Sequence, residues 1–110
     1  MKVKAKFGVK EPYLTQLVEG QKTHEGRLAK SFFTQIQIGD NILLNGTYYF
    51  KVVSISRYPD FEAMLTDLGY KKFIPSASDI NQAVGEYYRF YKPDDEKKFG
   101  VISLGLKFIS

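Results

Sequence analysis

Between Lys22 and Arg27 the chain sets two cations and a carboxylate within six residues, straight after a helix stop, in Gly20-Gln21-Lys22-Thr23-His24-Glu25-Gly26-Arg27. If residues 22–28 are extended, their side chains alternate between faces. Thr23, Glu25 and Arg27 then share one side, while His24 and Leu28 take the other. Lys22, at the bend, can reach over either face. An ammonium in that place can clamp a phosphate or, once desolvated, act as a base of lowered pKa. Glu25 can orient the lysine, accept from the amino group of a base edge, or serve as general acid or base. The planar fork of Arg27 suits phosphate or carboxylate, and Thr23 can hydrogen-bond a ligand. The plainer alternative is an exposed ion pair of Glu25 with Arg27 or Lys22, which contributes only about 0–1 kcal/mol.

Other chemistries have little to stand on. His24 is the only histidine and there is no cysteine, so neither a thiolate site nor a converging ligand set for zinc is expected, and no Ser-His-Asp arrangement suggests itself. The glycines show neither dinucleotide-binding nor phosphate-loop spacing, and no cofactor is expected. Among the aromatics, Tyr58 follows Arg57 at a strand end and is expected to line a cleft and stack a base. Lys71, Lys72 and Arg89 are expected to form a basic rim for an RNA backbone. The chain has 110 residues, 44% of them hydrophobic, and a net charge of +4. That fits one compact domain over residues 1–110 with a mild preference for anionic partners. No run approaches the ~18 apolar residues of a membrane helix, so a cytoplasmic setting is expected.

The elements that must position these residues follow from periodicity. Val3, Ala5 and Phe7 alternate with lysines as a first strand. Pro12 opens a helix with Tyr13, Leu14, Leu17 and Val18 on one stripe, and Gly20 stops it. Residues 29–37 are ambiguous, with Ile36 and Ile38 alternating into the next strand. Asn41 to Leu44 and Thr47 to Ser56 read as strands joined at Asn45-Gly46, a pair that tolerates positive φ at both central positions of a tight turn. Pro59 or Asp60 opens a short helix ending at Gly69. A longer helix is expected from Ser78, as its cap, to Tyr91. Gly100 to Ile109 reads as a last strand that buries only the Ile102, Leu104, Leu106 and Phe108 side. The sum is an α+β domain: a small mixed β-barrel of about five to six strands with three flanking short helices.

The order of these elements and residues resembles the ASCH domain of the PUA-like superfamily. The likeness rests on Gly20-x-Lys22-Thr23-x-Glu25-x-Arg27, Gly39-Asp40 before a strand, Tyr58-x-x-Phe61, Tyr87-x-x-x-Tyr91 and Gly100-Val101. It implies a barrel whose cleft is lined by the Lys-Thr-x-Glu-x-Arg strand, with single-stranded RNA or a modified nucleotide as ligand. One branch of the family removes the acetyl group from N4-acetylcytidine with a lysine, a threonine nucleophile and an acidic residue. Lys22 matches that lysine, Glu25 stands where the threonine would, and Lys71-Lys72-Phe73-Ile74-Pro75 offers no carboxylate. The resemblance therefore implies a nucleotide-binding module first. A metal-independent hydrolase of amidohydrolase or ribonuclease type, using Lys22 and Glu25, is the alternative.

Overall fold

The computed structural model describes residues 1–110. Five strands form one mixed sheet that curls into a half-barrel: β1 (Ala5–Phe7), β2 (His24–Leu28), β3 (Asn41–Leu44), β4 (Tyr48–Tyr58) and β5 (Val101–Phe108), in spatial order β1-β3-β4-β5-β2. Only β1 and β3 run parallel. The β3–β4 hairpin turns at Asn45 (φ 54°) and Gly46 (φ 66°), the geometry that Asn-Gly accepts most readily. A bulge between Val52 and Ser54 bends β4 and helps the sheet to curl.

Five helices pack against the sheet: α1 (Tyr13–Glu19), α2 (Ser31–Thr34), α3 (Phe61–Leu68), α4 (Ile80–Tyr88) and α5 (Pro93–Phe99), with a 3₁₀ turn at Tyr70–Lys72. Two apolar clusters hold them. One, under α1, joins Leu14 and Leu17 to Ile42, Phe50, Ile102 and Leu104 on the inner face. The other joins Met64 and Leu65 of α3 and Ala83 and Tyr87 of α4 to Leu28 and Val101 on the opposite face. Each fully buried Leu, Ile or Phe contributes about 1.5–3 kcal/mol.

Several expectations are corrected here. β5 is buried on both faces from Val101 to Leu106 rather than on one, because the second cluster covers Val101 while Ser103 and Gly105 lie against β4 and β2; Phe108 instead packs on Phe50 at the edge of the core and is 38% exposed. The expected helix from Ser78 to Tyr91 begins later and ends sooner. Its cap is Asp79, whose carboxylate accepts from the Gln82 N–H, and its backbone turns away after Tyr88. The chain then forms α5, absent from the sequence reading. Residues 35–40 do not extend the next strand; Ile36 is buried in the irregular connection and Ile38 lies exposed in the turn.

Candidate functional site

β2 is an edge strand in sheet order, and its alternation places Glu25 and Arg27 on one face as expected. Lys22 reaches back from the turn and is 2% exposed. Its Nζ donates to the Phe73 carbonyl at 2.7 Å and lies 3.1 Å from Glu25 Oε1. The other carboxylate oxygen, Oε2, accepts from Arg27 Nε at 2.9 Å and Nη2 at 2.7 Å, and Nη2 also donates to the Gly8 carbonyl at 2.7 Å. Each oxygen of Glu25 thus answers one cation. Aromatic rings flank both: Tyr13 lies 5.5 Å from Lys22 Nζ, and Phe7 lies 5.0 Å from the guanidinium. Arg27 Nη1 makes no hydrogen bond within the protein, which leaves two donors on a guanidinium already locked in orientation.

The electrostatics follow from burial and this pairing. Burial drives Lys22 below the ordinary lysine range; Glu25 opposes the shift, Arg27 adds to it, and the net direction is down. For Glu25, burial pushes up, but Lys22 and Arg27 together outweigh it and hold the carboxyl below its usual value. Burial pulls Arg27 down and the Glu25 charge more than reverses it. The triad therefore carries two cations on one anion, an excess of one positive charge in a site largely withdrawn from water.

This triad floors a cavity of about 260 Å³. One wall is the β1–α1 loop at Gly8, Val9 and Lys10 together with Tyr13; the facing wall is the end of α4, with Glu86, Tyr87, Phe90 and Tyr91. The far wall is fixed from behind, since Phe61 stacks on Tyr87 at 4.4 Å and on Tyr91 at 5.2 Å. Gly26 eases this approach. A β-carbon there would stand 2.6 Å from Met64 Cε and 2.9 Å from the Tyr87 hydroxyl, so a larger residue would have to displace the ends of these two side chains. The Tyr13 hydroxyl donates to Glu86 and ties α1 to α4 across one end. Burial, followed by that hydrogen bond, raises the Tyr13 phenol, and burial also raises Tyr87 and Tyr91, so all three remain neutral hydroxyls. At the mouth, Phe90 is 44% exposed, with Lys10 Nζ 5.1 Å and the Arg89 guanidinium 5.4 Å from its ring.

Of the residues singled out from the sequence, Lys22, Glu25 and Arg27 meet in this cavity. Thr23 does not line it: its Oγ1 is hydrogen-bonded with His24 Nδ1 at 2.8 Å. Tyr58 is also elsewhere. β4 runs beneath α3, so the ring packs on the second cluster and the hydroxyl donates to Asp67 at 2.5 Å. Lys71 and Lys72 are exposed in the 3₁₀ turn, outside the cavity, although the Lys72 carbonyl accepts from the Thr23 N–H at 3.0 Å. Arg89 pairs with Glu86 at 2.8 Å beside the mouth. Sequence reasoning missed Tyr13, Phe90 and Tyr91, whose signal was present as aromatic spacing on α1 and across the end of α4. No three His, Asp or Glu side chains converge to hold a metal ion.

A curled mixed sheet, helices closing one end and a charged pocket on the strand after the first helix define a small PUA-like α+β domain. The chain belongs to the ASCH domain family, whose model matches residues 7–110; such domains are usually associated with RNA binding. It is similar to the crystal structure of hypothetical protein PH0355 at 33% identity, over 96% of this chain and 98% of that one, with a TM-score of 0.92. The solution structure of protein PF0455 from Pyrococcus furiosus matches at 30% identity over 96% of each chain, with a TM-score of 0.81. A serine-to-alanine mutant of ZmASCH from Zymomonas mobilis shares the fold alone, at 15% identity and a TM-score of 0.63, over 94% of this chain and 68% of that one. Comparison with curated proteins yields no match. No helix is long and apolar enough to cross a membrane.

Proposed function

We propose that the cavity binds a single nucleotide unit, either within single-stranded RNA or as a free modified nucleotide. The observation that carries this reading is the Lys22–Glu25–Arg27 triad, one positive charge in excess, at the floor of an aromatic-walled space of about 260 Å³. That volume lies just under the ~300 Å³ at which drug-sized pockets begin, which suits one base with its sugar or phosphate. Arg27 Nη1 donates to a phosphate or base oxygen, Glu25 retains lone pairs for a base amino group, and Phe90 and Tyr91 offer faces for stacking. The role first given to Tyr58 passes to these two. With so few cations facing the ligand, affinity depends only moderately on salt.

The alternative is a metal-independent hydrolase acting on modified nucleosides or RNA, and one feature favours it: Lys22 is buried, depressed in pKa and adjacent to a carboxylate, as an activated base would be. The experiment that separates the two is an amide NMR titration with modified cytidines, mononucleotides and short single-stranded RNAs, following the ligand signals in the same tubes. Shifts at Lys22 to Arg27 and at Phe90 and Tyr91 with intact ligand support binding. Conversion of the ligand, lost in Lys22→Ala, moves the assignment to the enzyme. No shifts with any ligand would remove the nucleotide-directed reading.

A further inference from the structure

The outer face of the sheet carries a charge pattern that the cavity does not use. Asn41 pairs with Lys51 across β3 and β4, and Lys51 with Lys107 across β4 and β5; Lys4, in the bend that leads into β1, donates its N–H to the Asn41 carbonyl at 2.8 Å beside the end of this row. Side chains of directly paired residues leave the sheet on the same side. That side is the outer one, because the flanking Ala5, Ile42, Phe50 and Leu106 are buried within the curl while all three lysines are exposed. The pattern continues past β5. The Leu106 N–H donates to the Thr23 carbonyl, the Thr23 N–H donates to Lys72, and the Lys72 charge acts on His24, which alternation puts on this same face.

None of these lysines forms an ion pair, and Lys51 Nζ meets only the Gly39 carbonyl at 3.4 Å. β1, β3, β4 and β5 contain no Asp or Glu. Like charges facing each other on antiparallel strands weaken a sheet, so the Lys51–Lys107 pair has a standing cost that an external anion would remove. The row crosses three inter-strand steps, about 14 Å, in a line rather than a disc. A line of cations matches a chain of phosphates better than a lipid surface.

We propose that Lys4, Lys51 and Lys107, with Lys72 at the end of the row, form a second contact surface on which the sugar-phosphate backbone of single-stranded RNA lies across the strands. The choice of RNA among polyanions rests on the nucleotide reading of the cavity; the surface itself shares no residue with it. Contacts of this kind position a strand without reading its sequence.

The test is fluorescence anisotropy of a labelled oligouridine of about 12 nucleotides over roughly 50–200 mM salt. Three proteins are compared: wild type, the triple variant Lys4→Gln/Lys51→Gln/Lys107→Gln, and a control Lys97→Gln/Lys98→Gln on α5. The triple variant is expected to bind about tenfold or more weakly at the lowest salt, with a log–log salt slope shallower by about 0.7 for each lysine removed, while the control stays at wild type. Lys107→Glu, which gives Lys51 an opposite charge, is expected to raise the thermal midpoint of the free protein and still weaken the RNA. Unchanged affinity and slope in the triple variant overturn the proposal. An equal loss in the control does so too, as does binding of wild type to phosphatidylserine vesicles but not to the oligonucleotide. A parallel titration with uridine monophosphate keeps the two readings apart. Absent shifts in the cavity with this and every other ligand of the nucleotide panel, together with a lysine-dependent salt slope, would sink the cavity and leave this surface standing.

Discussion

Glu25→Gln should destabilise the domain more than any other single change at the site. Glu25 is the only anion in contact with Lys22, and the substitution keeps its shape and one acceptor while deleting the charge. Removing one partner of a buried pair costs about 3–5 kcal/mol, because the other charge is left without compensation. Against the ~5–15 kcal/mol of an ordinary domain this is a large share, and at about 4 °C or more per kcal/mol it lowers the thermal midpoint on the order of 15 °C. The pH dependence identifies the cause. Without Glu25, Lys22 falls further below its unfolded pKa, so the folded state binds fewer protons than the unfolded one and stability rises with pH. The penalty is complete below the depressed folded pKa and vanishes above the unfolded lysine value of about 10.4. Urea unfolding followed by circular dichroism at about pH 7 and pH 9.5 should therefore show a deficit that shrinks at the higher pH, with an unchanged denaturant slope. Glu25→Gln/Lys22→Met should recover the part of the loss that falls on Lys22, leaving the part that falls on Arg27, whose counter-ion is also removed. A deficit under about 1 kcal/mol at pH 7, or one indifferent to pH, would refute the view that Glu25 is the counter-ion of a buried ammonium.

Glu25 also shapes the acid limb of the wild type. Its folded pKa lies below the unfolded value, so its contribution is whole above about pH 4.3 and is lost as pH falls through the folded pKa; Glu25→Gln should lack that part of the acid transition. The imidazole of His24 should titrate below 6.5, first because it is half buried and then because of the Lys72 and Lys22 charges, and Lys72→Gln should bring the NMR midpoint part of the way back. Gly26→Ala should cost about 1–3 kcal/mol in unfolding experiments and displace Met64 or Tyr87, with resonance shifts along the cavity wall. Asp79→Ala should cost about 1 kcal/mol, whereas Ser78→Ala should stay within about 0.5 kcal/mol, as measured by thermal melts.

The parts of the fold readable in the sequence are those governed by local chemistry. Asn45-Gly46, the helix stop at Gly20 and the alternation of β2 each depend on a few neighbouring residues, and the charged half of the cavity came with them. The aromatic half did not, because Tyr13 and Tyr91 have the helical spacing of core residues, and only tertiary packing decides that they face a space instead. Tyr58 was misplaced for the same reason: a strand end looks open until α3 is laid over it. The reading of β5 as one-sided failed because its second face is covered by helices that come from elsewhere in the chain. α5, by contrast, was legible. Pro93 at its start, Asp94, Asp95 and Glu96 in the first turn, Lys97 and Lys98 in the last and Gly100 beyond are successive start and stop signals.

The pairing of β2 bears on the order in which the molecule assembles. β2 is bonded in the sheet to β5 alone, so the triad sits on a strand from early in the chain whose only sheet partner comes at the end. Contacts that close so long a loop are slow to form and come after local ones such as the β3–β4 hairpin. During synthesis or refolding, the first helix and the hairpin can settle while Lys22, Glu25 and Arg27 still lack a frame. The cavity therefore takes its shape only with the last strand, and a chain that lacks the β2–β5 pairing has no frame for its floor.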